Sequence, residues 1–412
     1  MALHYNKFDL PQLMLFLLAF SFFVDINFLK IGDFFITTKF LTTFFGSIFI
    51  LLFLGRFEIV YHYLILGIIF YLVFNLSTII SGDLNIASLI YFLAYPIYIM
   101  LLLQFIQKGN YELNFFSYFI YSATIVSIIA ILQVLNLFPV FENKIDDFVL
   151  NEYNINQGDI LDSRFKRGTG LMFDGNFFGM ILAIAFGINR FTLKSNIATY
   201  TIFLGILASF SRSALLALIF SYMFTFSLNK FSVNNFFKSF KMAPFFIILI
   251  MFLSLFLPAE LIKYFSERFV ELFNIISFDR EIETSSILES STSIRFFAYF
   301  AAYYIIVNNP WVGVGILGTR DAFTEFLGYN THSHNTFVEF FVVSGVFGLF
   351  ITIIFLRVIF KKFNFKGENL RLYRSIMGPI FISFMTLTHM QSLFLFFPFF
   401  IKDLIGSTKN EK

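Results

Sequence analysis

Residues 115–138 read FFSYFIYSATIVSIIAILQVLNLF, 24 consecutive positions without a charged side chain. An α-helix needs about 17 to 25 predominantly apolar residues to cross the hydrocarbon core of a bilayer, so this stretch has the length and chemistry of a span. Comparable runs lie on both sides of it, at 10–29, 35–54, 59–80 and 86–106 upstream and at 171–190, 195–210, 212–229, 242–260, 336–357, 374–390 and 391–407 downstream. Together they make 12 candidate spans, the last two of which also fit a re-entrant hairpin. The expectation is an all-α polytopic membrane protein in which residues 1–412 form a single integral membrane domain.

Composition points the same way. With 58% hydrophobic and only 13% charged residues, and a mean hydropathy of +0.80, the chain holds more apolar surface than one soluble core hides. The absence of cysteine excludes disulfides, thiolate metal sites and a cysteine nucleophile, and leaves the redox compartment open. The 68 phenylalanines fit lipid-facing or stacking roles, or the AT-rich coding that also raises Ile, Asn and Lys and points to a bacterial source. The segment Met1–Leu10 lacks the basic start and small-residue cleavage site of a removable signal, so the first apolar run is expected to stay as a span.

Lysine and arginine set the orientation, because basic loops are retained in the cytoplasm. With both termini cytoplasmic, the basic cluster from Arg357 to Arg374 falls inside, as do Lys108, Arg190 and Lys230. Two long polar stretches rich in Asp and Glu then fall outside, 139–170 and 261–335, the second between the ninth and tenth spans. The apolar run within 295–307 is too short to cross and reads as a short helix inside that second loop, lying at the membrane surface. On this topology Arg167, Arg212, Arg295 and His334 all reach the external face.

Several motifs fail on context. Gly313-Val314-Gly315-Ile316-Leu317-Gly318 fits a dinucleotide fingerprint, but no βαβ pattern surrounds it and it follows Asn309-Pro310-Trp311 in an external loop. His332 and His334 alternate as a metal pair on a strand might, with Asp321, Glu325 and Glu339 as the nearest further ligands; the favoured reading has no metal. Neither a cofactor nor a nucleic-acid partner is expected.

The arginines fit a definite chemistry. A guanidinium is a fixed fork of donors that matches phosphate oxygens and stays charged, which suits a lipid-linked pyrophosphate at a bilayer surface. Arg212 opens a span between Ser211 and Ser213 on the side where arginine is scarce. Arg164, Lys166 and Arg167 precede Gly168-Thr169-Gly170, where flexible backbone can approach an anion. Snorkelling to head groups is the competing reading for each arginine, and a solvated turn for the basic knot. His334 has the character of a general base, able to take a proton from a sugar hydroxyl attacking an anomeric carbon while arginines hold the departing pyrophosphate. Gly345 and Gly348, three apart on one helix face, allow close helix approach beneath it, or packing alone.

These residues resemble a known family. His334-Asn335, nine residues, then Gly345-Val346-Phe347-Gly348 is similar to the H-[NSQ]-x9-G-x-x-G signature of the bacterial O-antigen ligase and O-antigen polymerase superfamily. Arg212 to Leu216 resembles its R-x3-L element, and Ser293-Ile294-Arg295 looks like its second arginine. Arg167-Gly168-Thr169-Gly170-Leu171-Met172-Phe173-Asp174-Gly175-Asn176 is similar to a polymerase element, although Gly175 stands where proline is common.

The resemblance implies a metal-independent GT-C-like glycosyltransferase of the bacterial inner membrane, acting at its periplasmic face on a polyprenyl-pyrophosphate-linked glycan. By position, His334 would be the base and Arg212 and Arg295 the pyrophosphate ligands. Arg167 joins them as a weaker member, and Asn335, His332, Arg164 and Asn176 as supporting residues. A polymerase, favoured here, passes the chain to a lipid-linked repeat unit, with membrane lipids and a chain-length regulator protein as further partners. A ligase would pass it to lipid A core. A lipid-linked oligosaccharide transporter is the reading from a different class; it disagrees with the lack of an internal repeat and with candidate residues gathered at one face.

Overall fold

The computed structural model describes residues 10–25, 27–31, 34–54, 61–82, 86–140, 168–172, 174–227, 291–328, 332–361, 365–387 and 392–407, apart from the side chains of 27–31, 34–36, 87, 223, 226–227 and 291–296. Among these residues helices dominate. They are α1 (Leu10–Ser21), α2 (Thr38–Leu54), α3 (Tyr61–Phe74), α4 (Leu76–Ile80), α5 (Ile86–Lys108), α6 (Glu112–Val134), α7 (Gly175–Phe191), α8 (Asn196–Ala208), α9 (Arg212–Ser227), α10 (Ser291–Asn308), α11 (Gly315–Leu327), α12 (Thr336–Ser344), α13 (Val346–Phe360), α14 (Gly367–Thr386) and α15 (Phe397–Ser407). Four short strands complete the order: β1 (Val24–Asp25), β2 (Asn27–Ile31), β3 (Phe34–Thr37) and β4 (Leu171–Met172).

The stretch 115–138 forms most of α6. Glu112 sits in its first turn, where the helix dipole favours a negative charge, and Asn136 follows its end in a left-handed conformation at φ 56°. Ser88–Lys108 within α5 and Glu112–Val134 are long and apolar enough to cross a membrane. Each rises roughly 30 to 35 Å, the thickness of a hydrocarbon core. The other apolar helices are shorter, so the 12 expected spans are not all continuous helices. The outer faces of α2 and α3 carry Phe44, Phe45, Phe49, Leu52, Ile65 and Leu72 exposed. An apolar surface of that extent suits lipid better than water.

Breaks in the expected spans have local causes. The first run ends at Ser21, where the chain turns into β1 and the β2–β3 hairpin. β1 pairs in parallel with β4, Val24 opposite Leu171 and Asp25 opposite Met172, and Asp25 then meets the buried Lys39 of α2 at 3.0 Å. The third run breaks at Asn75 into α3 and α4, the Asn75 amide donating to Tyr71 O at 2.9 Å and Ser88 Oγ at 3.0 Å. The 336–357 run is two helices, α12 and α13, because Gly345 adopts φ 56°, ψ −134°. The last runs appear as α14, which begins at Gly367, and as a 3-10 turn, Leu393–Leu395, leading into α15. The run at 242–260 lies outside the described residues, as does most of the 139–170 loop. Within the second loop the short helix is longer than expected, Ser291–Asn308, and α11 is an additional one.

Two compact units divide the chain. One comprises Met1–Asn143, Arg167–Thr225 and Phe297–Lys412; the other, Lys144–Lys166 and Phe226–Phe296, lies almost entirely outside the described residues. The core of the first is built on α7, buried along nearly its whole length and packed by α6, α8, α9 and α14. Small residues set these approaches. A Cβ at Gly205 of α8 would lie 2.5 Å from Ser127 Oγ of α6, and one at Gly187 of α7 would lie 2.7 Å from Ser375 O of α14. Where Pro96 leaves the Phe92 carbonyl without its helical donor, Gly67 of α3 closes in, a Cβ there falling 2.3 Å from that oxygen.

Candidate active site at the His334 turn

The helix layer fixes which ends lie together. Ser221 Oγ of α9 donates to Ser375 O of α14 at 2.7 Å, and Gly187 of α7 meets the same carbonyl. Gly179, two turns earlier in α7, meets Ser209, Ser211 and Ala214 at the start of α9. α7 and α9 are therefore parallel to each other, and α14 runs antiparallel to both, since Glu368 in its first turn pairs at 3.5 Å with Lys194, just past the end of α7. From the Ser221–Ser375 contact, Arg212 lies about 14 Å along α9 and Leu387 about 18 Å along α14 in the same direction. Leu387 O accepts from Thr336 Oγ1 at 2.6 Å, which brings the His334 turn to that end as well. Arg212, the start of α7 and His334 thus share one end of the layer.

The turn itself is tightly specified. Asn335, in extended backbone, caps α12: its Oδ1 accepts from the amides of Phe337 at 3.0 Å and Val338 at 3.2 Å. These are donors that a helix start leaves without partners. His334 is half-buried and left-handed, with φ 52°. For a residue with a Cβ that conformation costs about 1 to 3 kcal/mol, so neighbouring contacts must hold it. Ser333, fully buried, donates from its amide to Glu339 Oε2 at 3.2 Å and from its hydroxyl to the same oxygen at 2.5 Å. The hydroxyl also lies 3.0 Å from Asn335 O. His332 is half-exposed, its Nδ1 3.6 Å from Oε1 of the buried Glu339. Burial of the imidazole opposes its charged form, yet the hydrogen bond and charge of Glu339 outweigh that and the opposing Arg320, and its pKa is raised.

The sequence reading named Glu339 only as a further ligand for a metal pair, not as a partner of the turn. A carboxylate four residues past a helix cap reads as a surface residue favoured by the dipole, and only the fold buries it.

Beneath the turn, the two glycines do not share one continuous helix face. Gly345 is the break, and a Cβ at Gly348 would lie 2.3 Å from Phe340 O, so α13 folds against α12. An unbroken helix would bond Val346 N to Val342 O; instead Val346 N donates to Pro310 O at 2.8 Å and Val342 O accepts from Val314 N at 3.0 Å. Gly313 and Gly315, at φ 64° and 73°, shape the turn that supplies both bonds. The G-x-G-x-x-G match is accordingly a brace for the α12–α13 break.

Around Arg212 the serines act as caps. Ser211 Oγ accepts from Ala214 N at 3.2 Å and lies 2.9 Å from Ser213 Oγ, leaving the half-buried Arg212 at the first position of α9. Asp174 caps α7 by accepting from the Asn176 amide at 2.6 Å, which places Asn176 in the first turn. The amides of Thr169 and Gly170, expected to be open to an anion, both donate to Gln133 Oε1 at 2.9 Å. That is a correction: a carboxamide from α6 already fills the position. Arg164 and Arg167 lie outside the described residues, and Arg295 is described only as a backbone position on α10. Asp321 and Glu325 are exposed on α11, and among the described residues no three His, Cys, Asp or Glu side chains gather as metal ligands.

Residues 197–353, from α8 into α13, match the family model described as O-Antigen ligase. That match supports the resemblance to the O-antigen ligase and polymerase superfamily. The matched segment contains Arg212, Arg295, the whole His334 turn, Glu339 and both glycines of the α12–α13 break. A comparison with curated proteins gives no match. Members of that family are membrane enzymes of O-antigen assembly, and the apolar helices of this chain agree with a membrane protein.

Proposed function

We propose that the chain is an O-antigen polymerase, transferring a glycan from a polyprenyl-pyrophosphate carrier onto a lipid-linked repeat unit at the periplasmic face of the inner membrane. The observation that carries this reading is His334, held left-handed between two hydrogen-bonded neighbours at the same end of the layer as Arg212. An acceptor hydroxyl attacks the anomeric carbon, His334 takes its proton, and the bond to the carrier pyrophosphate breaks. Arg212, Arg295 and Arg167 hold that leaving group as its charge grows, with Arg164, Asn176, His332 and Asn335 in support. The proposal includes the GT-C-like arrangement of 12 spans, cytoplasmic termini and a chain-length regulator as partner.

The description of the matching family favours a second reading, ligation to lipid A core. The Arg167–Asn176 element favours the polymerase. Deleting the gene and resolving both the surface polysaccharide and the lipid-linked pool separates them. Core bearing a single repeat means polymerase; bare core with long chains stranded on the carrier means ligase. Complementation with His334→Ala is expected to lower turnover by about 10²- to 10⁴-fold with donor binding kept. Full activity in that variant would refute the base assignment.

A further inference from the structure

The start of α12 contains a charged group that the transfer chemistry above does not use. Glu339 is 2% exposed, among Phe337, Phe340 and Val343, on a helix whose other inward positions are apolar or small. A carboxylate so deeply buried is retained only where its oxygens are satisfied. Both are engaged with the segment that precedes the helix: Oε2 takes the amide and hydroxyl of Ser333, and Oε1 faces His332. No bond runs from Glu339 to the Asn335 amide, as it would in an ordinary capping box, since that amide instead lies 3.4 Å from Ser333 Oγ. The carboxylate therefore grips the residue before His334, while Asn335, the residue after it, is fixed by the cap.

We propose that Glu339 is a positioning residue for His334, acting through Ser333 to hold the turn in its left-handed conformation and so to aim the imidazole. This rests on the reading of His334 as the base. The backbone on one side of His334 is tied by Glu339 and on the other by Asn335, so its φ and the direction of its Cα–Cβ bond follow from two side chains of one helix turn. Loss of either tie lets a strained residue relax, and a displacement of about 1 Å at a catalytic group costs about 100-fold in rate. His332 is the outer partner of the same carboxylate. Among the described residues, Glu339 from α12 and Arg320 from α11 are charged groups that face it.

The test uses the full-length protein in nanodiscs, with the lipid-linked pool extracted from the deletion strain as donor and acceptor. Glu339→Gln keeps the shape and one accepting oxygen but removes the charge. Its kcat is expected to fall about 100-fold with KM for the donor unchanged, because the donor's pyrophosphate is held elsewhere. Ser333→Ala is expected to fall similarly, and the double variant no further than the worse single one, since both act through one contact. In histidine-labelled protein the His332 titration should move to lower pH in Glu339→Gln and the His334 resonances should shift. Wild-type kcat in Glu339→Gln, additive losses in the double variant, or unchanged histidine resonances would each overturn the proposal. Turnover retained in His334→Ala would instead overturn the base assignment, and the histidine spectra would still decide whether Glu339 holds the turn.

Discussion

Replacing Asn335 by Ala separates stability of the helix from aim of the histidine. The side-chain oxygen of Asn335 serves two amides, Phe337 N at 3.0 Å and Val338 N at 3.2 Å, and the residue is 5% exposed, so water does not readily replace it. Loss of a helix cap costs about 0.5 to 2 kcal/mol, and the burial of Asn335 and of the Phe337 donor places this site near 2 kcal/mol. Spread over a chain of 412 residues, that change is expected to lower the melting midpoint in detergent by no more than a few degrees. Turnover is expected to fall far more, by about 100-fold, because the lost bonds adjoin His334 directly. Asn335→Ser supplies another capping oxygen and is expected to recover most of the rate. Thermal unfolding followed by tryptophan-independent light scattering, together with polymer formation from the extracted lipid-linked pool, reads both quantities. Wild-type turnover in Asn335→Ala, or a Ser variant no better than the Ala one, would refute the argument that the cap sets the geometry of His334.

Other expectations concern the brace, the arginine and the histidine–carboxylate pair. Gly345→Ala forces a Cβ into φ 56°, 2.6 Å from Pro310 O and Trp311 C, and should cost about 3 kcal/mol or more, visible as a lost yield of folded protein. Arg212→Lys keeps the charge but loses the fork, so turnover should drop at least about ten-fold; full tolerance would make Arg212 a head-group anchor. The folded-state pKa of His332 is raised, so its pairing with Glu339 stabilises fully below its unfolded pKa of about 6.5 and is lost as pH rises through the folded value. The melting-point gap between wild type and His332→Gln should therefore be larger at acid than at alkaline pH, and a flat or reversed gap would remove the pair.

Much of the architecture is legible in the sequence because lipid imposes one strong constraint, a long run of apolar residues, and Glu112–Val134 obeys it directly. Arg212 and His334 stand out in the sequence as candidates because a charge beside an apolar run is costly without a purpose. The remainder depends on contacts between distant residues. Gln133 occupies the Thr169 and Gly170 amides from 36 and 37 positions away, and nothing local to the glycines announces it. Strands of two residues, such as Val24–Asp25 against Leu171–Met172, carry no periodicity to read. The spacing of Gly345 and Gly348 fits a packed helix face and a hinge equally well; the difference lies in which carbonyl Val346 N finds.

That exchange of partners explains how the site tolerates a broken span. α12 has nine residues and rises about 14 Å, too little to cross a hydrocarbon core of about 30 Å. The depth of His334 is therefore not set by a spanning helix. It is set by the two ends of α12: Thr336 is tied to Leu387 O at one, and the Pro310–Val314 turn satisfies Val346 N and Val342 O at the other. Buried backbone groups left open at a break would each cost free energy, so a turn that meets both makes the break a stable feature. A short helix fixed at both ends can hold a strained residue at its cap, because neither end is free to slide and release it.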